Sequence, residues 1–247
     1  LGGAEMVIRD RAKPIFSSKI RQISEAVRAA LAAEVAPSPA STFVMLRFRA
    51  MLVLDAHSLK RGAELGTTLT NGIVRFPDDS GLLFNYTWGT TLRSGSSHIF
   101  GVARKPNDPD MCPVACIDAY VAGAAALDFL LAGPGSFLFR PWRHGAAPDV
   151  PLAPEQLASD LRLWMVRCGI FEGETFHGLR TGGAIELALT GESLRSVMDS
   201  ALWKRPSTAL RYMKIWEVMC ASVTGSVPPP LPRRTLPPKS SYSATPW

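Results

Sequence analysis

The chain is 247 residues long, with 47% apolar and 19% charged residues, which excludes wholesale disorder and fits one or two domains with a substantial core. Its longest apolar run, residues 120–133, has fourteen residues and includes Asp128, so the sequence predicts no membrane span, and the acidic start LGGAEMVIRD is unlike a signal peptide. The net charge of +6 is compatible with a polyanionic partner, and the first residue, Leu1, leaves open that the chain is a fragment.

Two helices are predicted at the start of the chain. Apolar residues recur at helical spacing over residues 17–34 and over residues 42–57, where they mark one face of each helix. Pro37 and Pro39 separate the two helices. We interpret residues 1–36 as an N-terminal helical segment, followed by the main domain over residues 37–223. A short helical turn is predicted over residues 61–65.

The pattern then changes from helical to strand-like. Three short strands separated by turn residues are predicted over residues 72–76, 82–88 and 97–104. The helical period returns after Pro113, and five further helices are predicted over residues 114–128, 154–168, 175–189, 193–202 and 207–223. The sequence therefore predicts a mainly α fold with a small antiparallel β-sheet.

The last segment, residues 224–247, differs in composition from the rest. It is rich in Pro, Ser and Thr and carries Arg233, Arg234 and Lys239 without any acid, so we predict a disordered, Pro-rich basic tail. A solvated tail and a ligand for an SH3-type groove are both compatible with residues 229–234.

The cysteines predict buried thiols in a reducing compartment rather than a disulfide scaffold. The first two have the spacing of half a metal site, but the sequence has no second pair at ligand spacing, so we predict no bound metal. The four cysteines are Cys112, Cys116, Cys168 and Cys220.

The residues with the most chemical information lie in the C-terminal half. His177 and Arg180 are three residues apart and share one face of a predicted helix, and Trp203 and Tyr212 follow them at intervals of 23 and nine residues. This order resembles the tyrosine recombinases, the phage-integrase family, whose C-terminal half carries H-x-x-R, then His or Trp, then a nucleophilic Tyr.

The resemblance extends to the front of the main domain and covers residues 42–223. Arg61, followed three residues later by Glu64 and then Leu65, is similar to the first catalytic arginine of the family, which lies between a long helix and a three-stranded sheet. The stretches FNYTWGTTLRSG, CPVACIDAY and FLFRP look closest to recombinases of eukaryotic transposons, the Crypton-like or related retroelement branch.

The resemblance implies both a fold and an activity. It implies the recombinase catalytic domain, with residues 1–36 as a remnant of a DNA-clamping core-binding domain, and DNA strand exchange for a mobile element without any cofactor. Arg61 and Arg180 would neutralise the phosphate, with Glu64 in support, because guanidinium groups suit two phosphate oxygens. His177 would move a proton, Trp203 would donate its indole N–H, and Tyr212 would form a 3′-phosphotyrosine.

Partners and location follow from the same resemblance. It implies double-stranded DNA as the partner and assembly of several copies on that DNA through the apolar helix of residues 215–223. Nuclear residence is expected if the element is eukaryotic, and cytoplasmic residence otherwise.

One expected residue is absent. The family places a lysine between the second and third strands, where related elements read G-K-T-L-R, whereas this chain has Thr90 at that position. Arg93 and Lys105 are the nearby cations, and an arginine releases its proton too reluctantly to be a good acid. A catalytically decayed DNA-binding protein is therefore an alternative.

Simpler structural roles also remain open for each residue. Tyr212 and Trp203 fit core aromatics, His177 fits a packing role, and Arg61 with Glu64 fits an ordinary ion pair. Together these roles describe a further alternative, a helical protein-interaction module that uses the Pro-rich tail.

Overall fold

The computed structural model of the protein describes residues 13–33, 38–86, 97–131, 133, 135–210 and the backbone of residues 245–246. A short 3-10 helix, Thr70–Gly72, precedes the first strand, and residues 206–210 are also helical. The helices and strands in chain order are α1 (Ser17–Ala32), α2 (Pro39–Ser58), α3 (Gly62–Gly66), β1 (Ile73–Arg75), β2 (Gly81–Tyr86), β3 (His98–Ala103), α4 (Pro113–Ala125), α5 (Pro154–Arg167), α6 (His177–Leu189), α7 (Leu194–Ser200) and β4 (Thr245–Pro246).

The predicted fold class, mainly α with a small antiparallel sheet, is confirmed. Strands β1, β2 and β3 form an antiparallel meander in which Phe84 pairs with both Ile73 and Phe100. The two-residue strand β4 adds to the outer edge of β1, so the sheet order is β3-β2-β1-β4. Strand β4 lies within the tail that was predicted to be disordered, so these two residues correct that prediction; residues 224–244 and 247 lie outside the described residues.

Most predicted elements are present, with shifted ends. The helix predicted to reach residue 128 ends at Ala125, because Asp128 adopts a left-handed backbone with φ 62°. The helix predicted to reach residue 202 ends at Ser200 for the same reason, since Leu202 has φ 53°. The end of the second predicted strand, the turn after it and most of the last helix, residues 211–223, lie outside the described part of the chain.

Helix α2 is the centre of the core and corrects the prediction of one apolar face. Its residues from Arg47 to Asp55 are all buried, so the helix is enclosed on every side. Two arginines of α2 enter this core paired with carboxylates. Arg47 donates to the Asp160 carboxylate of α5 at 2.7 Å, and Arg49 donates to Asp110 at 2.9 Å.

The N-terminal segment belongs to the same core. Ile15, Ile20, Ile23 and Val27 are buried in it with α2 and α5. The backbone of Ile15 lies so close to α6 that a Cβ atom at Gly182 would lie 2.0 Å from the Ile15 carbonyl oxygen. The domain boundary at residues 36 and 37 stays a prediction. Among the described helices, none has both the length and the apolarity that crossing a membrane requires.

Candidate active site

A tight turn after α2 positions the first part of the site. Leu59 ends the helix in a left-handed conformation with φ 52°, and its N–H donates to the Asp55 carbonyl at 3.0 Å. This conformation is strained for leucine, and burial of the side chain against Gly183 of α6 and Val197 of α7 maintains it. The turn places Lys60 and Arg61 between α2 and α3.

Arg61 is held by the short helix that follows it. The Glu64 carboxylate accepts the backbone N–H of Arg61 at 3.0 Å and lies 3.4 Å from its guanidinium. The predicted ion pair is therefore present, and Glu64 is buried. The Arg61 side chain nevertheless remains 39% exposed, so its guanidinium faces solvent beside the helix.

Helix α6 supplies His177 and Arg180 from its first turn. Arg180 is buried, donates a hydrogen bond to the Ala201 carbonyl, and places its guanidinium carbon 5.3 Å from the centre of the Trp203 ring. His177 is exposed at the first position of the helix. Partial desolvation and the nearby charges of Arg180 and Arg61 lower the pKa of His177, so its imidazole is neutral at physiological pH.

These side chains surround one cleft of about 440 Å³. The first turns of α3, α5 and α6 form its walls, so the residues of the two sequence motifs, more than a hundred residues apart, share it. Its lining consists of Lys60, Arg61, Gly62, Ala63, Pro154, Glu155, Ala158, Thr175, Phe176, His177 and Arg180. Two permanent positive charges and one neutral imidazole make the cleft suited to a phosphate group.

Lys60 was not predicted from the sequence, although it directly precedes Arg61. The residue is 2% exposed, and its amine lies 5.2 Å from the centre of the Phe100 ring and 5.6 Å from that of Tyr86. Burial lowers the pKa of Lys60 to about 8, a shift that Glu64 opposes. Its position beside the motif arginine was the available sequence signal, but a lysine before a surface turn is normally exposed.

Of the remaining predicted residues, some lie away from the cleft lining and the others lie outside the described residues. Trp203 contacts Arg180 rather than the cleft. Lys105 follows β3 and places its amine 2.7 Å from His57 Nε2, away from the cleft lining. Tyr212, Thr90 and Arg93 lie outside the described residues.

The prediction that the cysteines are buried thiols is corrected in part. Cys112 and Cys116 are buried free thiols, as predicted, and burial raises the pKa of Cys116 to about 12. Cys168 is partly exposed, because it ends α5 at the edge of the core. Cys220 lies outside the described residues. Within the described ranges, no group of three His, Cys, Asp or Glu side chains has the arrangement of a metal site.

Comparison with known proteins supports the fold assignment. The XerH site-specific recombinase bound to its palindromic difH substrate in a post-cleavage complex superposes with a TM-score of 0.62 and 10% identity, over 87% of this chain and 53% of that one. The XerA recombinase superposes with a TM-score of 0.57 and 15% identity, over 87% of this chain and 65% of that one. No protein-family model and no curated protein sequence matches the chain.

These likenesses show the fold of the tyrosine recombinase catalytic domain. The chain spans between half and two thirds of the length of these two recombinases.

Proposed function

We propose that this chain cuts and rejoins DNA through a 3′-phosphotyrosine formed by Tyr212. The observation that carries the proposal is the convergence of Arg61, His177 and Arg180 on one cleft, from two sequence motifs that are far apart in the chain. The fold shared with XerH, a site-specific recombinase bound to its substrate after cleavage, supports the same activity.

The two arginines would stabilise the transition state. Attack on a phosphodiester adds negative charge to the two non-bridging oxygens, and planar guanidinium groups bind such oxygens with paired hydrogen bonds. Arg180 is fixed for this task, because its guanidinium donates to the Ala201 carbonyl and lies against the Trp203 ring. We therefore assign Trp203 a positioning role instead of the predicted direct contact with phosphate.

His177 would act as the base. Its lowered pKa keeps the imidazole neutral near pH 7, and a neutral imidazole can accept the proton of the attacking phenol. The phenol oxygen of Tyr212 then bonds to phosphorus and conserves the energy of the cleaved bond for rejoining.

The partners follow from this activity. We propose double-stranded DNA as the substrate and assembly of several copies on it through residues 215–223, for a mobile element. The protein would reside in the nucleus of a eukaryotic host and in the cytoplasm of any other host. The net charge of +6 supports binding to a polyanion.

A covalent capture experiment tests the activity. The chain is incubated with a pool of nicked duplexes of randomised sequence, in which the cleaved fragment diffuses away and leaves the protein attached to DNA. We expect a detergent-resistant protein–DNA adduct that enriches particular sequences and disappears in Tyr212→Phe. Arg61→Ala is expected to lower adduct formation about 10²- to 10³-fold, because it removes one charge-stabilising group.

The control is Arg195→Ala, which removes an arginine that is 81% exposed and does not line the cleft. It is expected to form adduct as the parent chain does. An adduct that persists in Tyr212→Phe contradicts the proposal.

The second candidate function is DNA binding by a decayed recombinase, which Thr90 at the expected lysine position favours. Salt-dependent binding of the same duplex pool without any adduct would support this candidate over the enzyme.

A further inference from the structure

Strand cleavage needs a proton donor that neither arginine of the cleft can replace. The oxygen that leaves phosphorus is an alkoxide, a strong base that must be protonated as its bond breaks. Guanidinium groups keep their protons at any physiological pH, so Arg61 and Arg180 stabilise charge without supplying a proton. The donor must therefore be another group at the same cleft, with a pKa closer to neutrality.

Lys60 meets this requirement by position. Among the described residues, it is the one lysine that lines the cleft, directly next to Arg61. Its amine lies over the inner face of the sheet, near the rings of Phe100 and Tyr86. In the described part of the chain, this amine has no hydrogen-bond acceptor, although the residue is 2% exposed. The amine itself is enclosed over these two rings, so it reaches a ligand in the cleft when the Lys60 side chain turns toward Arg61. A buried ammonium group normally has one or more acceptors, and a ligand oxygen would satisfy its unmet donors.

The charges around Lys60 explain why its proton is labile. Burial removes water from the ammonium and Arg180 repels it, whereas the carboxyl groups of Glu64 and Asp55 oppose the shift. His98 of β3 also faces the amine, and burial together with the Lys60 charge lowers the pKa of this histidine to about 4. The result for Lys60 is a pKa of about 8, suited to an acid that is protonated at neutral pH and releases its proton readily.

We propose that Lys60 is the general acid of strand cleavage, in place of the lysine that Thr90 replaces; this inference rests on the proposed function. As the Tyr212 oxygen bonds to phosphorus, the bond from phosphorus to the 5′ oxygen breaks with its electron pair on oxygen. Lys60 gives its proton to that oxygen, which leaves as a 5′-hydroxyl, and Lys60 becomes a neutral amine. The phenol proton moves to His177. On rejoining, the 5′-hydroxyl returns its proton to Lys60 as it attacks, and His177 protonates the leaving phenol.

The test compares two leaving groups with the DNA sequence that covalent capture enriches. In one nicked duplex the bridging 5′ oxygen is normal, and in the other it is replaced by sulfur, whose thiolate is a weak base and leaves without a proton. We expect Lys60→Met to lower the rate of adduct formation on normal DNA by about 10²-fold or more. On the sulfur substrate, Lys60→Met is expected to reach nearly the rate of the parent chain, which also shows that the variant is folded.

Matched variants give the comparison its controls. Lys204→Met removes an exposed lysine outside the cleft lining, and Lys105→Met removes the other lysine near the sheet. Both are expected to keep the parental ratio of rates on the two substrates. In the parent chain, the rate on normal DNA is expected to fall as the pH rises above about 8, because the acid form of Lys60 is lost.

Every other outcome rejects Lys60 as the general acid, and the outcomes can be told apart. Equal loss on both substrates in Lys60→Met shows a structural role, and no loss on normal DNA shows that Lys60 is dispensable. A parent chain that forms adduct on the sulfur substrate alone has a working phosphate site without an acid, which rejects Lys60 and keeps the proposed function. A parent chain that forms no adduct on either substrate rejects both.

Discussion

The middle and the C-terminal end of helix α2 differ in how their buried polar side chains are paired. In its middle, Arg47 and Arg49 each donate to a carboxylate within 2.9 Å and to a further oxygen atom, although Arg47 Nε has no partner in the described ranges. At and just beyond its C-terminal end, Ser58 Oγ and Lys60 Nζ are equally buried, yet neither atom has a hydrogen-bond partner among the described residues.

This difference in hydrogen bonding separates residues that hold the fold together from residues at the candidate site. A buried charge with a bonded partner holds two elements together, whereas a buried polar group without a partner costs stability and persists where something else makes use of it. The unpartnered end of α2 is the end that borders the cleft with Arg61 and Arg180. Along α2 and the turn after it, hydrogen bonding therefore distinguishes arginines that join parts of the fold from the unpartnered Ser58 and Lys60 side chains at the cleft end.

The paired arginines in the middle of α2 predict the largest change in stability. Asp160→Ala leaves the Arg47 guanidinium, whose side chain is 1% exposed, without its carboxylate. We expect the free energy of unfolding to fall by about 3–5 kcal/mol, because an uncompensated charge remains buried. Denaturant unfolding followed by circular dichroism measures the loss.

The matched control replaces both partners. Arg47→Met combined with Asp160→Leu removes the pair without stranding a charge, and its stability is expected to return close to that of the parent chain. A loss below about 1 kcal/mol in Asp160→Ala contradicts the scaffold role of the pair.

Removing Lys60, at the cleft end of α2, is expected to raise the free energy of unfolding by an amount that depends on pH. The pKa of Lys60 is about 8 in the folded chain and near its usual 10.5 in the unfolded chain. Below pH 8 both states hold the proton, and Lys60→Met is expected to be more stable than the parent chain by about 3 kcal/mol. Between pH 8 and 10.5 the unfolded chain binds more protons, so the parent chain gains stability with rising pH and the difference narrows.

Unfolding curves of both chains across this pH range measure the difference, and subtracting them removes the other titrating groups. Lys204→Met, at an exposed position, is the control and is expected to track the parent chain at every pH. A Lys60→Met variant that is less stable than the parent chain at pH 7 would show that the lysine belongs to the scaffold.

The sequence was sufficient for the fold class and for half of the cleft. Helical and strand periods are local, so the elements appear in the predicted order with ends shifted by a few residues. His177 and Arg180 are adjacent on one helix, and their joint placement follows from the geometry of a single turn. Arg61 was identified through the resemblance of residues 61–65 to the first catalytic arginine of the family, and the structure shows its contact with Glu64.

The missed features depend on contacts between distant residues. The all-round burial of α2 was hidden because Arg47 and Asp55 look like an exposed polar face until their neighbours are known. The same applies to Lys60, whose burial requires the end of α2 to meet the inner face of β2 and β3. Trp203 was given a phosphate contact, but its position on Arg180 depends on how α7 lies against α6.

An exposed ion pair gives the smallest expected effect and tests whether burial, rather than distance, decides the comparison. Arg195 and Asp199 of α7 are 2.9 Å apart, as close as the buried pair of Arg49 and Asp110, but their side chains are 81% and 60% exposed. The arginine lies in the first turn of the helix and the aspartate near its end, so both oppose the helix dipole. We expect Arg195→Ala to change the free energy of unfolding by less than about 0.5 kcal/mol, with the change smaller still at high salt. Denaturant unfolding at low and high salt measures it, and a loss comparable with that of Asp160→Ala would show that close contact alone makes a charge structural.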